Sequence, residues 1–202
     1  MSKRRVFGQL AQGLWACAVC VHAAPVVVQV QATGGMPLAG AVVFLDSPQA
    51  AQAAKPLQAA EMAQEQKAFV PSVLVVTRGT SVAFPNRDTV RHHVYSFSPA
   101  KKFELKLYTG TPANPVVFDR SGVAVLGCNI HDHMVAWVLV LDTPYFATAP
   151  ASGQVTLDVP PGKYTLRTWH ALLPVGTEAA SQPLDVPPAG AKATVRLGGL
   201  QP

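Results

Sequence analysis

A thiol, an imidazole and a thioether follow one another at three-residue intervals in the stretch Cys128-Asn-Ile-His-Asp-His-Met134, as Cys128, His131 and Met134. A tight loop with that spacing can turn all three towards one point, the cysteine binding as its thiolate. A second histidine from elsewhere completes the donor set of a mononuclear type 1 copper centre, with the thioether as weak axial ligand. Candidates lie upstream in Asp88-Thr-Val-Arg-His-His-Val-Tyr-Ser-Phe97, where alternating residues predict a strand carrying His92 and His93.

Those donors need a scaffold, and the composition bounds it. The 202 residues are 49% apolar and only 13% charged, a globular balance with room for one large or two small domains. Lys3, Arg4 and Arg5 precede an apolar run over residues 14–21, and Val21-His-Ala23 is a small-residue cleavage site, so residues 1–23 are expected to be an export signal. Arg4-Arg-Val-Phe7 partly resembles a twin-arginine signal, but Gly8 departs from it, and general secretory export is the expected route. Removal of the signal leaves 13 basic against 11 acidic residues, with no basic patch interleaved with aromatics, so nucleic acid is excluded as a partner. It also removes Cys17 and Cys20, leaving Cys128 alone, so no disulfide within one chain explains a cysteine in an oxidising compartment. No other run is apolar enough to span a bilayer.

Period-two patterns recur along the rest. Val26, Val28 and Val30 predict a strand, Gly34-Gly35 a turn, and residues 39–45 a second strand. Residues 47–59, rich in Ala, Gln and Pro, read as a linker. Beyond a turn-rich passage at 143–153, Val155, Leu157 and Val159 alternate up to Pro160-Pro-Gly162, and Tyr164, Leu166 and Thr168 beyond it, predicting a hairpin. A last strand is expected over 193–197. No amphipathic helix of useful length is visible, so the expected class is all-β.

The central block resembles the cupredoxins, and the Cys-x-x-His-x-x-Met spacing resembles their short-loop amicyanin type. Phe69-Val-Pro71, residues 73–76, Arg78-Gly79 and Val82-Ala-Phe-Pro-Asn-Arg-Asp88 resemble the family's opening strands and the turn before its first ligand. Residues 116–122 resemble the hairpin leading into the cysteine strand, and 135–141 the closing strand. The resemblance implies a Greek-key β-barrel or sandwich over residues 60–142, holding one copper ion through a histidine of the early strand, Cys128, His131 and Met134. The family pattern His-x-Val-x-Ser selects His92 as the first of these. Alternation selects His93 instead, on the face shared with Tyr95 and Phe97, so His93 stands as the alternative. Many members carry an aromatic just before the cysteine, whereas this chain has Gly127; electron exchange is then expected through the exposed edge of His131, rimmed by Ile130, Met134 and Val135. His133 is expected in solvent or beside the ligands, and His170 as a packing or surface residue.

The flanks resemble carboxypeptidase regulatory-like β-sandwiches, with one half at 25–46 and the other at 143–200, so the central block is expected to be inserted into or flanked by a second small sandwich. The implied function is a periplasmic one-electron carrier, monomeric, working between redox proteins such as a dehydrogenase and a cytochrome. Without an open coordination position or substrate pocket, no catalysis is expected. Two readings compete: a copper-binding or delivery protein with no redox role, and a structural or binding β-sandwich in which the block is only a scaffold.

Overall fold

The computed structural model describes residues 23–201. The expected export signal, with Cys17, Cys20 and His22, lies outside them apart from Ala23. In chain order the strands are β1 (Ala24–Ala32), β2 (Val42–Asp46), β3 (Ala60–Glu61), β4 (Ala63–Glu65), β5 (Ala68–Val70), β6 (Val73–Thr77), β7 (Thr80–Ala83), β8 (His92–Ser98) and β9 (Lys101–Tyr108). There follow β10 (Val116–Phe118), β11 (Gly122–Gly127), β12 (Val135–Leu141), β13 (Phe146–Thr148), β14 (Gln154–Val159), β15 (Gly162–Trp169), β16 (Ala180–Val186) and β17 (Ala191–Leu197). The fold is all-β, as the alternation predicts. A six-residue helix, α1 (Pro48–Ala53), interrupts the segment expected to be linker. Ser47 starts it by accepting a hydrogen bond from the Ala50 N–H at 3.0 Å, Pro48 occupies its first turn, and Ala50 is its buried residue.

The central strands form two facing sheets, β10-β7-β3 and β6-β12-β11-β8-β9. Between them lies a core that includes Phe84, Phe118, Leu126 and Val138. β12 reads as an unbroken apolar run because both its faces are covered. Ala136, Val138 and Val140 turn into this core, whereas Leu139 and Leu141 turn outward against Val42, Phe44 and Trp169. β6 lies parallel to β12, which brings residues 73–77 against 137–141.

The flanking strands pair with each other across the central block. β1 is antiparallel to β14, with Ala24 opposite Val159, and parallel to β17, with Val26 opposite Ala191. β2 lies between β13 and β15, with Leu45 opposite Leu166. Val26, Val28 and Val30 are fully buried between these two sheets, each worth roughly 1.5–3 kcal/mol of transfer from water. The sheet containing β2 and β15 backs onto the outer face of the central five-stranded sheet, giving three apolar layers in succession.

Three local expectations fail. The predicted hairpin around Pro160-Pro161-Gly162 does not form, because β14 joins β1 in one sheet and β15 joins β2 and β16 in the other. Both strands present their apolar residues to one core from opposite sides, so alternation alone could not separate a hairpin from a crossover. Similarly, β10 pairs with β7 and not with β11, so residues 116–122 cross between sheets. The second strand also starts at Val42, three residues later than expected.

Candidate metal centre

The loop over residues 128–134 joins β11 to β12, whose ladder closes on the pair Gly127 and Val135. On β11 the core-facing residues are Ala124 and Leu126, and on β12 Ala136 and Val138. Continuing the period of two past the last rung turns Cys128 and Met134 inward, and both are buried in the same core. Between them the chain turns tightly: the Met134 N–H donates to the His131 carbonyl at 2.9 Å and the Val135 N–H to that of His133 at 3.1 Å. β8 runs antiparallel beside β11 with Tyr95 opposite Gly127, so the residues before Tyr95 pass alongside the loop.

One ring nitrogen each from His92 and His131 and the sulfur of Cys128 lie within 4.8 Å of one another. The two imidazole rings meet edge-on with centroids 5.0 Å apart. Each carries a buried Nδ1 with no hydrogen-bond partner, as His93 does, but only these two converge on the Cys128 sulfur. Nitrogen donors stand about 2.0 Å and a thiolate sulfur about 2.3 Å from a bound ion of this size, so one ion spans a nitrogen and a sulfur about 4.3 Å apart. The cluster meets that limit after a small side-chain adjustment. The residues present therefore fit a copper ion that His92, Cys128 and His131 would hold, and Met134 is buried in the same core as Cys128.

The tautomer of His92 is set from the far side of its ring. Its Nε2 lies 2.7 Å from Asp88 Oδ2, and Asp88 also accepts the backbone N–H groups of Gln66 at 2.6 Å and Lys67 at 2.9 Å. Burial alone would raise the Asp88 pKa, but these donors together hold it below the ordinary carboxylate value. An ionised Asp88 keeps the proton on His92 Nε2 and leaves Nδ1 with its lone pair towards the sulfur. The His131 imidazole is held below its ordinary pKa by burial and then by the nearby His92, Lys67 and His133, which keeps it neutral and able to bind.

His93 stands elsewhere. Its Nε2 lies 2.8 Å from Glu104 Oε1 on β9, and its ring lies 5.4 Å from that of Tyr95. The alternation that favoured it rests on Tyr95 and Phe97 being core, yet Phe97 is 77% exposed. A register irregularity between His92 and Val94 lets both adjacent histidines be buried, on different partners. His133 is exposed and donates through Nε2 to the Lys67 carbonyl at 3.1 Å. Of the expected rim, Ile130 and Val135 are exposed at 47% and 42%, but Met134 is buried, because it continues the inward face of β12.

Three supporting groups carry no signal in the spacing of the donors. Tyr108 donates to the Phe84 carbonyl at 2.7 Å and accepts from buried Gln64 Nε2 at 2.8 Å. Burial, with a smaller contribution from Cys128, pushes its phenol up to about 12, so it remains a neutral donor. Asn86 ties the turn before β8 together, donating to the carbonyls of Val90 and Tyr108 at 2.8 Å each. Tyr95 covers Gly127 so closely that a Cβ there would sit 2.8 Å from its ring and hydroxyl. An aromatic ring from the neighbouring strand thus covers position 127.

No family model and no curated protein matches the chain. Solved structures similar to part of it are cupredoxins. A purple cupredoxin from Nitrosopumilus maritimus is 23% identical over 41% of this chain and 99% of its own, with a TM-score of 0.36. The amicyanin of Paracoccus versutus is 20% identical over 49% of this chain and 97% of its own, with a TM-score of 0.37. An amicyanin variant in a reduced Cu(I) form at pH 4 is 21% identical, with the same TM-score and covering 49% of this chain and 98% of its own. Among the described residues no helix is long and apolar enough to cross a membrane.

Proposed function

We propose that this chain is a periplasmic one-electron carrier that would hold a single type 1 copper ion through His92, Cys128, His131 and Met134. The observation that carries the reading is the meeting of Cys128 sulfur with two imidazoles whose buried Nδ1 atoms have no partner. When bound, a copper ion in such a set supplies a one-electron couple between Cu(II) and Cu(I). The protein's own part is to keep His92 in one tautomer through Asp88, to keep His131 neutral, and to bury Cys128 and Met134 away from water. Ile130 and Val135 give the His131 side an apolar surface suited to brief encounters with redox proteins, and no catalytic role is assigned.

The test is reconstitution of the metal-free protein with Cu(II), followed by visible absorption and cyclic voltammetry. Intense thiolate-to-copper absorption with a reversible couple supports the carrier. Tight Cu(I) binding without a reversible couple would replace it with copper storage or delivery. A Cys128→Ser protein that behaves like the parent in both measurements would remove the metal from the account.

A further inference from the structure

The outer face of the central five-stranded sheet is only half covered. On β6, β12 and the near side of β11 it packs under Val42, Phe44 and Trp169 of the flanking sheet. A cleft of about 630 Å3 marks where that cover ends, lined among others by Val125, Trp137 and Trp169. Beyond it β8 and β9 present the same outer face to solvent. There Tyr95 and Phe97 stand as successive rings 5.3 Å apart, with Phe97 opposite Lys102 and Tyr95 opposite Glu104 on β9.

The charges around these rings are mostly basic, with Lys102 and Lys106 against Glu104. Glu104 is engaged by His93 at 2.8 Å. Lys102 and Lys106 are exposed on the same strand, and among the described residues neither forms an ion pair. The aromatic centre is also held in place from below, because the Tyr95 ring rests on Gly127, where a side chain would displace it. A fixed aromatic with little conformational freedom to lose makes an efficient contact centre.

We infer that this uncovered half-face, centred on Tyr95 and Phe97 and flanked by Lys102 and Lys106, docks a protein partner whose contact surface has an apolar middle and an acidic border. It adjoins the Val135 surface at one edge, since Tyr95 lies opposite Gly127 and Gly127 opposite Val135, and extends away from it along β8 and β9. A second copy of the chain is a poor occupant, because it would set four lysines against only two glutamates. That the partner is a redox protein rests on the copper reading; that the face receives an acidic surface does not.

The experiment uses the copper-free, isotope-labelled protein and, as probe, tris(bathophenanthroline disulfonate)ruthenium(II), an inert anion with aromatic faces. Amide shifts on titration are expected at Tyr95, Phe97 and Lys102, with binding weakened about tenfold in the Lys102→Glu/Lys106→Glu variant and at raised salt. Phe97→Ser, an exposed change that leaves the core intact, is expected to weaken binding several-fold. Shifts confined to Ile130 and Val135, or binding indifferent to charge reversal, would overturn the inference. So would sedimentation showing a dimer that Phe97→Ser dissociates, since the face would then belong to a second copy. Because no copper is present, failure here is distinct from failure of the carrier reading, which the absorption of the reconstituted protein decides.

Discussion

Two buried histidines, one in each sandwich, show how this molecule divides its work. His170, in the flanking region, is 8% exposed and has both nitrogens used: Nε2 donates to the Ala39 carbonyl and Nδ1 accepts the Leu172 N–H, each at 3.0 Å. His92, in the central sandwich, is more deeply buried, yet only its Nε2 is used, and its Nδ1 has no partner. The first arrangement is complete and holds a loop against a strand. The second leaves a nitrogen free in a cluster with Cys128 and His131, where an ion would fit. Around them the buried polar residues also differ: the flanking region buries Thr143 and Thr168, whereas the central core buries Gln64 and His92 together with the sulfurs of Cys128 and Met134. Unpartnered buried atoms occur in both regions, Thr168 Oγ1 on β15 among them, but only His92 and His131 set theirs beside a cysteine sulfur.

Changes on either side should separate these roles. The largest effect is expected from Cys128→Ser and His92→Ala, each abolishing visible copper absorption on reconstitution, while His93→Ala retains it. Loss in His93→Ala with retention in His92→Ala would reverse the ligand assignment. Next comes Leu166→Ala in the flanking core, a fully buried position, expected to cost about 2–5 kcal/mol in denaturant unfolding while leaving the copper spectrum of the folded protein unchanged. A comparable spectral loss would show that the two sandwiches are not independent in this respect.

Asp88→Asn is expected to lower copper affinity about 10–100-fold, measured by chelator competition, because the amide no longer fixes His92 as the Nε2–H tautomer. An unchanged affinity would make Asp88 a purely structural anchor of the Gln66-Lys67 turn. The smallest effect concerns pH. The folded His131 pKa lies below the ordinary 6.5, so as pH falls below that value the unfolded chain takes up the proton first. Its contribution therefore lowers the stability of the metal-free protein down to the folded pKa and then levels off. His131→Gln should flatten that part of a melting-temperature profile, and an unaltered slope would point to other groups.

Much of this was legible in the chain. The three-residue spacing of Cys128, His131 and Met134 is local, and a seven-residue loop between paired strands leaves few other ways to arrange it. The alternation of Val26, Val28 and Val30 likewise names a buried face wherever the strand lies. Residues 155–168 show the limit, because their pattern identifies two half-buried strands but not whether they pair with each other. The same limit applied at β8, where Tyr95 and Phe97 look like core residues in sequence and face outward in the fold.

By itself, then, the sequence determined the donor types, their spacing and the all-β class, since these depend on neighbours within a few residues. Tertiary structure alone decided which adjacent histidine faces Cys128, which carboxylate orients it, and why position 127 is glycine. Those outcomes depend on strand register and sheet membership, set by contacts between residues far apart in the chain, and a single irregularity between His92 and Val94 is enough to change which ring faces which side.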